Sequence, residues 1–178
     1  MAKKMAKAKK KKYTELNKTP FNSGVRNFTR IAEYFLYYAP NIESCQSAGR
    51  IEGDDAEKVF EMMKSNINAK ILKKIQPNSW KELDFYEDSL DFEYSRMLFN
   101  KMNTESTLTA LLRHIRNSLA HGYIYVWNKR KKGSYILFVD FERNKKTQEL
   151  KTTAKIMVSM NILEKWKAIL ENEIAIGE

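Results

Sequence analysis

The apolar pattern of this chain changes character at Gly122, and that change constrains the fold more than any other feature. Before it, apolar residues recur at helical spacing: Val25, Phe28, Ala32, Phe35, Leu36 and Ala39 form a stripe that ends at Pro40. Residues 41–53 lack periodicity and read as a loop. A second stripe runs through Ala56, Val59, Phe60, Met63, Ile67, Ile71 and Ile75, opened by Asp54-Asp55 and stopped by Pro77. Ser79-Trp80-Lys81-Glu82 has capping-box spacing and predicts a third helix through Leu83, Tyr86, Leu90, Tyr94, Met97, Leu98 and Met102. A fourth, over about residues 104–121, presents Leu108, Leu111, Leu112, Ile115 and Leu119 on one face, with Gly122 as its stop. Beyond Gly122 the chain turns β-branched and aromatic in Tyr123–Trp127 and Tyr135–Glu142, and Gln148–Ile156 can pair back across a polar turn. A last helix is expected over 159–172, with Ile162, Leu163, Trp166, Ile169 and Leu170 at core spacing. The expected fold is mainly α: a helical bundle with a small antiparallel β-hairpin between the fourth helix and the C-terminal one.

With 178 residues, 43% of them hydrophobic, the chain is long enough to bury one core unaided. No apolar run reaches the roughly 18–20 residues of a membrane span, so a soluble, cytoplasmic protein without membrane contact is expected. Cys45 stands alone, which leaves no intrachain disulfide and no cysteine-based metal site. The net charge of +10 is concentrated in a tail: residues 3–12 hold seven lysines and no acid. Removing those seven from the 32 basic residues leaves 25 against 22 acidic ones, so the remainder is only mildly basic. Residues 1–18 are read as a disordered Lys-rich tail, either solubilising or phosphate-binding, and 19–178 as a single domain.

Two histidines, His114 and His121, both fall on the fourth helix. His121 lies in its last turn, where the helix dipole favours a cation. Asn117 sits one turn back on the same row and can orient the imidazole, and Arg113 extends that row. Arg116 is offset from His121 by about 140° on an ideal helix, so the two do not face one target. That shortfall is informative. Phosphoryl chemistry on RNA needs a base for the 2′-hydroxyl, an acid for the leaving oxygen and cations on the phosphate. Two motif helices, one per subunit of an isologous dimer, would supply all three without a metal or other cofactor.

Arg116-Asn117-Ser118-Leu119-Ala120-His121 resembles the Arg-x4-6-His signature of the HEPN superfamily, including the polar residue after the arginine. With helices before it and a hairpin and helix after it, residues 22–172 are similar to stand-alone HEPN proteins of bacterial defence and toxin systems. The resemblance implies a helical core and a homodimer through the motif helix. It also implies metal-independent cleavage of single-stranded RNA to 2′,3′-cyclic phosphate ends, by a toxin or anti-phage effector. It makes Arg116 the phosphate-binding residue, His121 the acid–base residue and Asn117 their polar helper. Tyr123 extends the pattern to Arg-x4-His-x-Tyr, resembling toxins silenced when a partner nucleotidyltransferase modifies that tyrosine; packing as an ordinary strand residue is the alternative. Arg113, Lys129, Arg130, Lys131 and Lys132 are candidate RNA contacts, with solubility the competing role for the lysine-rich turn. His114 is assigned a structural or surface role. The competing function is a HEPN-like module that binds RNA or nucleotide, or scaffolds a partner, without cutting. A DNA-binding role led by the tail ranks last, because no helix shows a strongly basic face.

Overall fold

The computed structural model describes residues 14–15, 25, 27–44, 46–65, 67–83, 95–129 and 133–177. The expectation of a mainly helical bundle is overturned: helices pack on a six-stranded mixed sheet. In chain order the elements are β1 (Thr14–Glu15), α1 (Phe28–Glu33), α2 (Gly53–Lys64), β2 (Asn68–Leu72), β3 (Arg96–Asn100), α3 (Thr107–His121), β4 (Ile124–Lys129), β5 (Gly133–Arg143), β6 (Leu150–Ser159) and α4 (Met160–Gly177). A π-helical turn at Tyr34–Tyr38 continues α1, and a 3-10 segment at Pro77–Leu83 follows β2. The sheet order is β1-β4-β5-β6-β3-β2, parallel only between β2 and β3.

The expected β4-β5-β6 meander is present, but as the centre of the sheet. The second predicted helix stops at Lys64, since Ser65 leaves helical dihedrals (φ −53°, ψ 127°), and Ile71 lies in β2. Of the third predicted helix, Ser79–Leu83 is 3-10, Met97 and Leu98 lie in β3, and residues 84–94 fall outside the described residues. The physical reason is two-sided burial. Met97, Leu98 and Phe99 are all fully buried, with Met97 and Phe99 in the main core and Leu98 in a second cluster. Short apolar runs of this kind fit a central strand as well as a helix, and their period cannot separate the two.

The main core lies between the helices and one sheet face. Ile136, Phe138, Ile156 and Val158 meet Leu111, Ile115, Leu163 and Trp166 there, whereas Leu137, Val139 and Met157 join Ile75 and Leu83 on the opposite face. This period-two alternation places Asp140, the next even position of β5, on the helix side of the sheet. The β5/β6 register shifts immediately after it, between Asp140 and Phe141. Trp166 donates its indole N–H to the Met63 carbonyl, satisfying an acceptor in the last turn of α2. Thr14–Glu15, inside the 1–18 segment, pairs with Val126 and Tyr125 on β4. The Lys3–Lys12 run, Cys45 and Arg130–Lys132 lie outside the described residues. Among the described residues no helix is long and apolar enough to cross a membrane.

Candidate active site

Helix α3 is set by its apolar stripe and its two ends. Leu108, Leu111, Leu112, Ile115 and Leu119 are buried, each contributing roughly 1.5–3 kcal/mol by removal from water. Ser106 caps the first turn, its hydroxyl accepting from Thr109 N–H at 3.1 Å. At the other end Gly122 adopts φ 72°, with Gly122 N–H donating to Leu119 O and Tyr123 N–H to Ser118 O. This Schellman arrangement stops the helix immediately after His121.

The motif side chains diverge. Arg116 and Asn117 are half-buried and line a cleft, while His121 is exposed and does not line it. Asn117 turns inward, away from the role expected for it. Its Nδ2 donates to Asp140 Oδ2 at 3.3 Å and its Oδ1 accepts from Arg116 Nη1 at 3.5 Å; no hydrogen bond to His121 occurs among the described residues. Asp140 also takes His114, whose Nδ1 lies 2.7 Å from the same oxygen, and its other oxygen accepts from Phe141 N–H at 2.9 Å. His114 is fully buried and Asp140 is 3% exposed. His114 Nε2 lies 2.9 Å from the Asn100 carbonyl and 3.3 Å from Arg113 Nη2. A structural role for His114 thus gains a specific partner, and Asp140 is the residue that sequence reasoning missed. Two signals were available. An acid stood at an inward position of an otherwise apolar strand, and His114 lay on the buried stripe between Leu111 and Ser118.

The cleft, about 1180 Å³, is formed by the 41–53 loop, the Met102–Ser106 approach to α3, and Thr109, Arg113, Arg116 and Asn117. Asn41, at φ 60°, pins the loop to the helix. Its Nδ2 donates to Ile51 O (2.8 Å) and Thr109 Oγ1 (3.0 Å), and its Oδ1 accepts from Ile51 N–H (2.7 Å). The cations of the cleft are not equivalent. Arg113 is held by Glu105 in a two-pronged pair, Nε to Oε2 at 3.0 Å and Nη2 to Oε1 at 2.8 Å. Burial pushes the Glu105 carboxyl up, but hydrogen bonds from Arg113 and Met102 N–H, with the neighbouring Arg113 and His114, outweigh it and hold it below its usual range. Arg50 lies 3.6 Å from Glu52. Arg116 has no carboxylate partner among the described residues, and its Nε is buried without an acceptor.

Tyr123 is half-buried, its ring edge-on to Phe141 at 4.8 Å and 6.3 Å from the His121 ring. Lys129 ends β4, opposite Gly133. Among the described residues no group of three His, Cys, Asp or Glu side chains is placed to hold a metal ion.

A helix that closes on Arg116-to-His121, laid on a six-stranded mixed sheet, makes this an α+β domain. The chain belongs to the HEPN pEK499 p136 family, whose model matches residues 3–174. No curated protein and no solved structure matches it.

Proposed function

We propose that the protein is a metal-independent endoribonuclease acting on single-stranded RNA, with Arg116 on the scissile phosphate and His121 as the acid–base group. Membership of a HEPN family supports an RNA-related role. The observation that carries the reading further is the state of Arg116: it opens into the cleft with no carboxylate to neutralise it, whereas neighbouring Arg113 is occupied by Glu105. An unneutralised guanidinium beside a polar cleft suits a phosphate.

In the reaction, one His121 takes the proton of the 2′-hydroxyl, whose oxygen attacks the adjacent phosphorus. The P–O5′ bond breaks as a second His121 protonates the departing O5′, leaving a 2′,3′-cyclic phosphate and a 5′-hydroxyl. Arg116 stabilises the charge gathering on the non-bridging oxygens. The second His121 comes from a homodimer that apposes two copies of α3. In the cell we place this activity in the cytoplasm, in a toxin or anti-phage effector. Control there would come from an antitoxin, or from a nucleotidyltransferase that adds negative charge at Tyr123.

The test is cleavage of single-stranded and transfer RNA in EDTA by the purified protein, its His121→Ala variant and its Arg116→Ala variant. Loss of cutting in both variants, with cyclic-phosphate ends from the parent, is the expected result; undiminished cutting by both would sink the assignment. The placement of His121 outside the cleft favours one second reading, a module that holds RNA or nucleotide at Arg116 without cutting it. That reading predicts retained RNA and no product.

A further inference from the structure

We infer that the buried Asp140–His114 pair is a positioning device for Arg116, acting through Asn117. The chain of contacts is continuous. The Asn100 carbonyl lies 2.9 Å from His114 Nε2, His114 Nδ1 lies 2.7 Å from Asp140 Oδ2, Asn117 Nδ2 donates to that same oxygen at 3.3 Å, and Asn117 Oδ1 accepts from Arg116 Nη1 at 3.5 Å. Asp140 decides which way the Asn117 amide points. An ionised carboxylate only accepts, so it draws the NH2 group inward and leaves the amide oxygen toward the guanidinium, which only donates. With the amide reversed, NH2 would face Arg116 and a carbonyl oxygen would face a carboxylate.

The two members of the pair are themselves held. Asp140 sits where β5 and β6 shift register, its Oδ1 accepting from Phe141 N–H at 2.9 Å. His114 is fully buried between α3 and the sheet, with its ring 5.9 Å from that of Phe99. Neither residue touches substrate. The aim they set is at an arginine with no carboxylate of its own, so Asn117 is the anchor of its guanidinium among the described residues.

The inference rests on the nuclease reading for its kinetic arm only. Asp140→Asn keeps the shape of the side chain but places an NH2 group where an acceptor is needed, so Asn117 must reverse or lose its partner. The expected loss in kcat is about 10- to 100-fold, the scale of a misplaced catalytic group, with KM for RNA changed less than about threefold. Asn117→Ala should cost a similar factor, and the Asp140→Asn/Asn117→Ala double variant no more than Asn117→Ala alone, because the two act in series. Multiplying losses, or an unchanged kcat in Asp140→Asn, would overturn the proposal.

The second arm is the Arg116 Nε–H resonance in protein labelled at arginine, assigned by Arg116→Lys and followed in both single variants. It should move in each, and an unmoved resonance in Asn117→Ala overturns the positioning role even if Asp140→Asn does not fold. Should the parent cut no RNA at all, the nuclease reading falls while this resonance still decides whether Asp140 sets Arg116.

Discussion

Asp140→Ala would remove one acceptor that serves three donors, and their burial sets what each loss costs. Phe141 N–H and Asn117 Nδ2 are in part-buried contacts and can turn to water, so each loses only a net hydrogen bond, about 0.5–1.5 kcal/mol. His114 is fully buried and has no such escape. Its ring keeps the contact with the Asn100 carbonyl through Nε2, so only the nitrogen that faced Asp140 loses its partner. That limits its cost to one buried polar atom left unsatisfied, about 1–3 kcal/mol. The sum is therefore about 2–6 kcal/mol, read in guanidinium as a lower midpoint at unchanged slope. Asp140→Leu combined with His114→Leu removes both partners together, and should recover the His114 share of the loss, because buried ion pairs are commonly replaceable by apolar side chains of similar volume. A single variant within about 1 kcal/mol of the parent would refute the reasoning, as would a double variant that costs the sum of its parts.

Gly122→Ala forces a Cβ into φ 72° with no atom within 4 Å to clash, so its cost is backbone strain alone, about 1 kcal/mol; thermal unfolding measures it. Glu105 contributes stability that is fully present above the ordinary glutamate value near 4.5 and is lost as pH falls through its lower folded value. Glu105→Gln should therefore lower the denaturation midpoint at neutral pH and flatten its fall below pH 4.5; a variant with the parent's full acid dependence contradicts this. Deleting residues 1–12 removes seven lysines, and should lower the slope of log affinity against log salt on single-stranded RNA by up to about 5, at roughly 0.7 per phosphate. Filter binding across a salt series gives that slope, and an unchanged slope excludes the tail from RNA contact.

The elements legible in the sequence were those that carry their own local signals. Helix α3 shows a clean stripe and a glycine stop, and β5, although buried on both faces from Ile136 to Asp140, is a β-branched and aromatic run bounded by polar turns, so both could be read locally. β2 and β3 could not, because Ile71 of β2 keeps helical spacing with Ile67 and Ile75 on either side of the strand, and Met97 and Leu98 of β3 keep it with Met102. Their pairing is also parallel and depends on partners far along the chain. At the site, the motif and its divergence were legible from 100° per residue, while the partner of Asn117 was not. His114 and Asp140 are 26 positions apart, each unremarkable alone, and only the sheet brings them together.

The geometry of α3 also bears on how one phosphate could feel both Arg116 and His121. Five residues along a helix separate them by about 7.5 Å of rise as well as the 140° of turn. Rotation of the helix cannot close that gap, since Leu111, Ile115 and Leu119 would each have to leave the core at roughly 1.5–3 kcal/mol apiece. Unwinding the last turn would release His121, but at the loss of the Gly122 and Tyr123 hydrogen bonds that end the helix. The remaining economical route, on the nuclease reading, is a second α3 whose exposed His121 reaches the Arg116 cleft of the first. Adding excess His121→Ala subunits to the parent protein tests this directly, because a mixed dimer keeps only one of the two histidines that the reaction uses. Cutting lost by the parent subunits as mixed dimers form fits a shared site, and undiminished cutting per parent subunit in those dimers would exclude it.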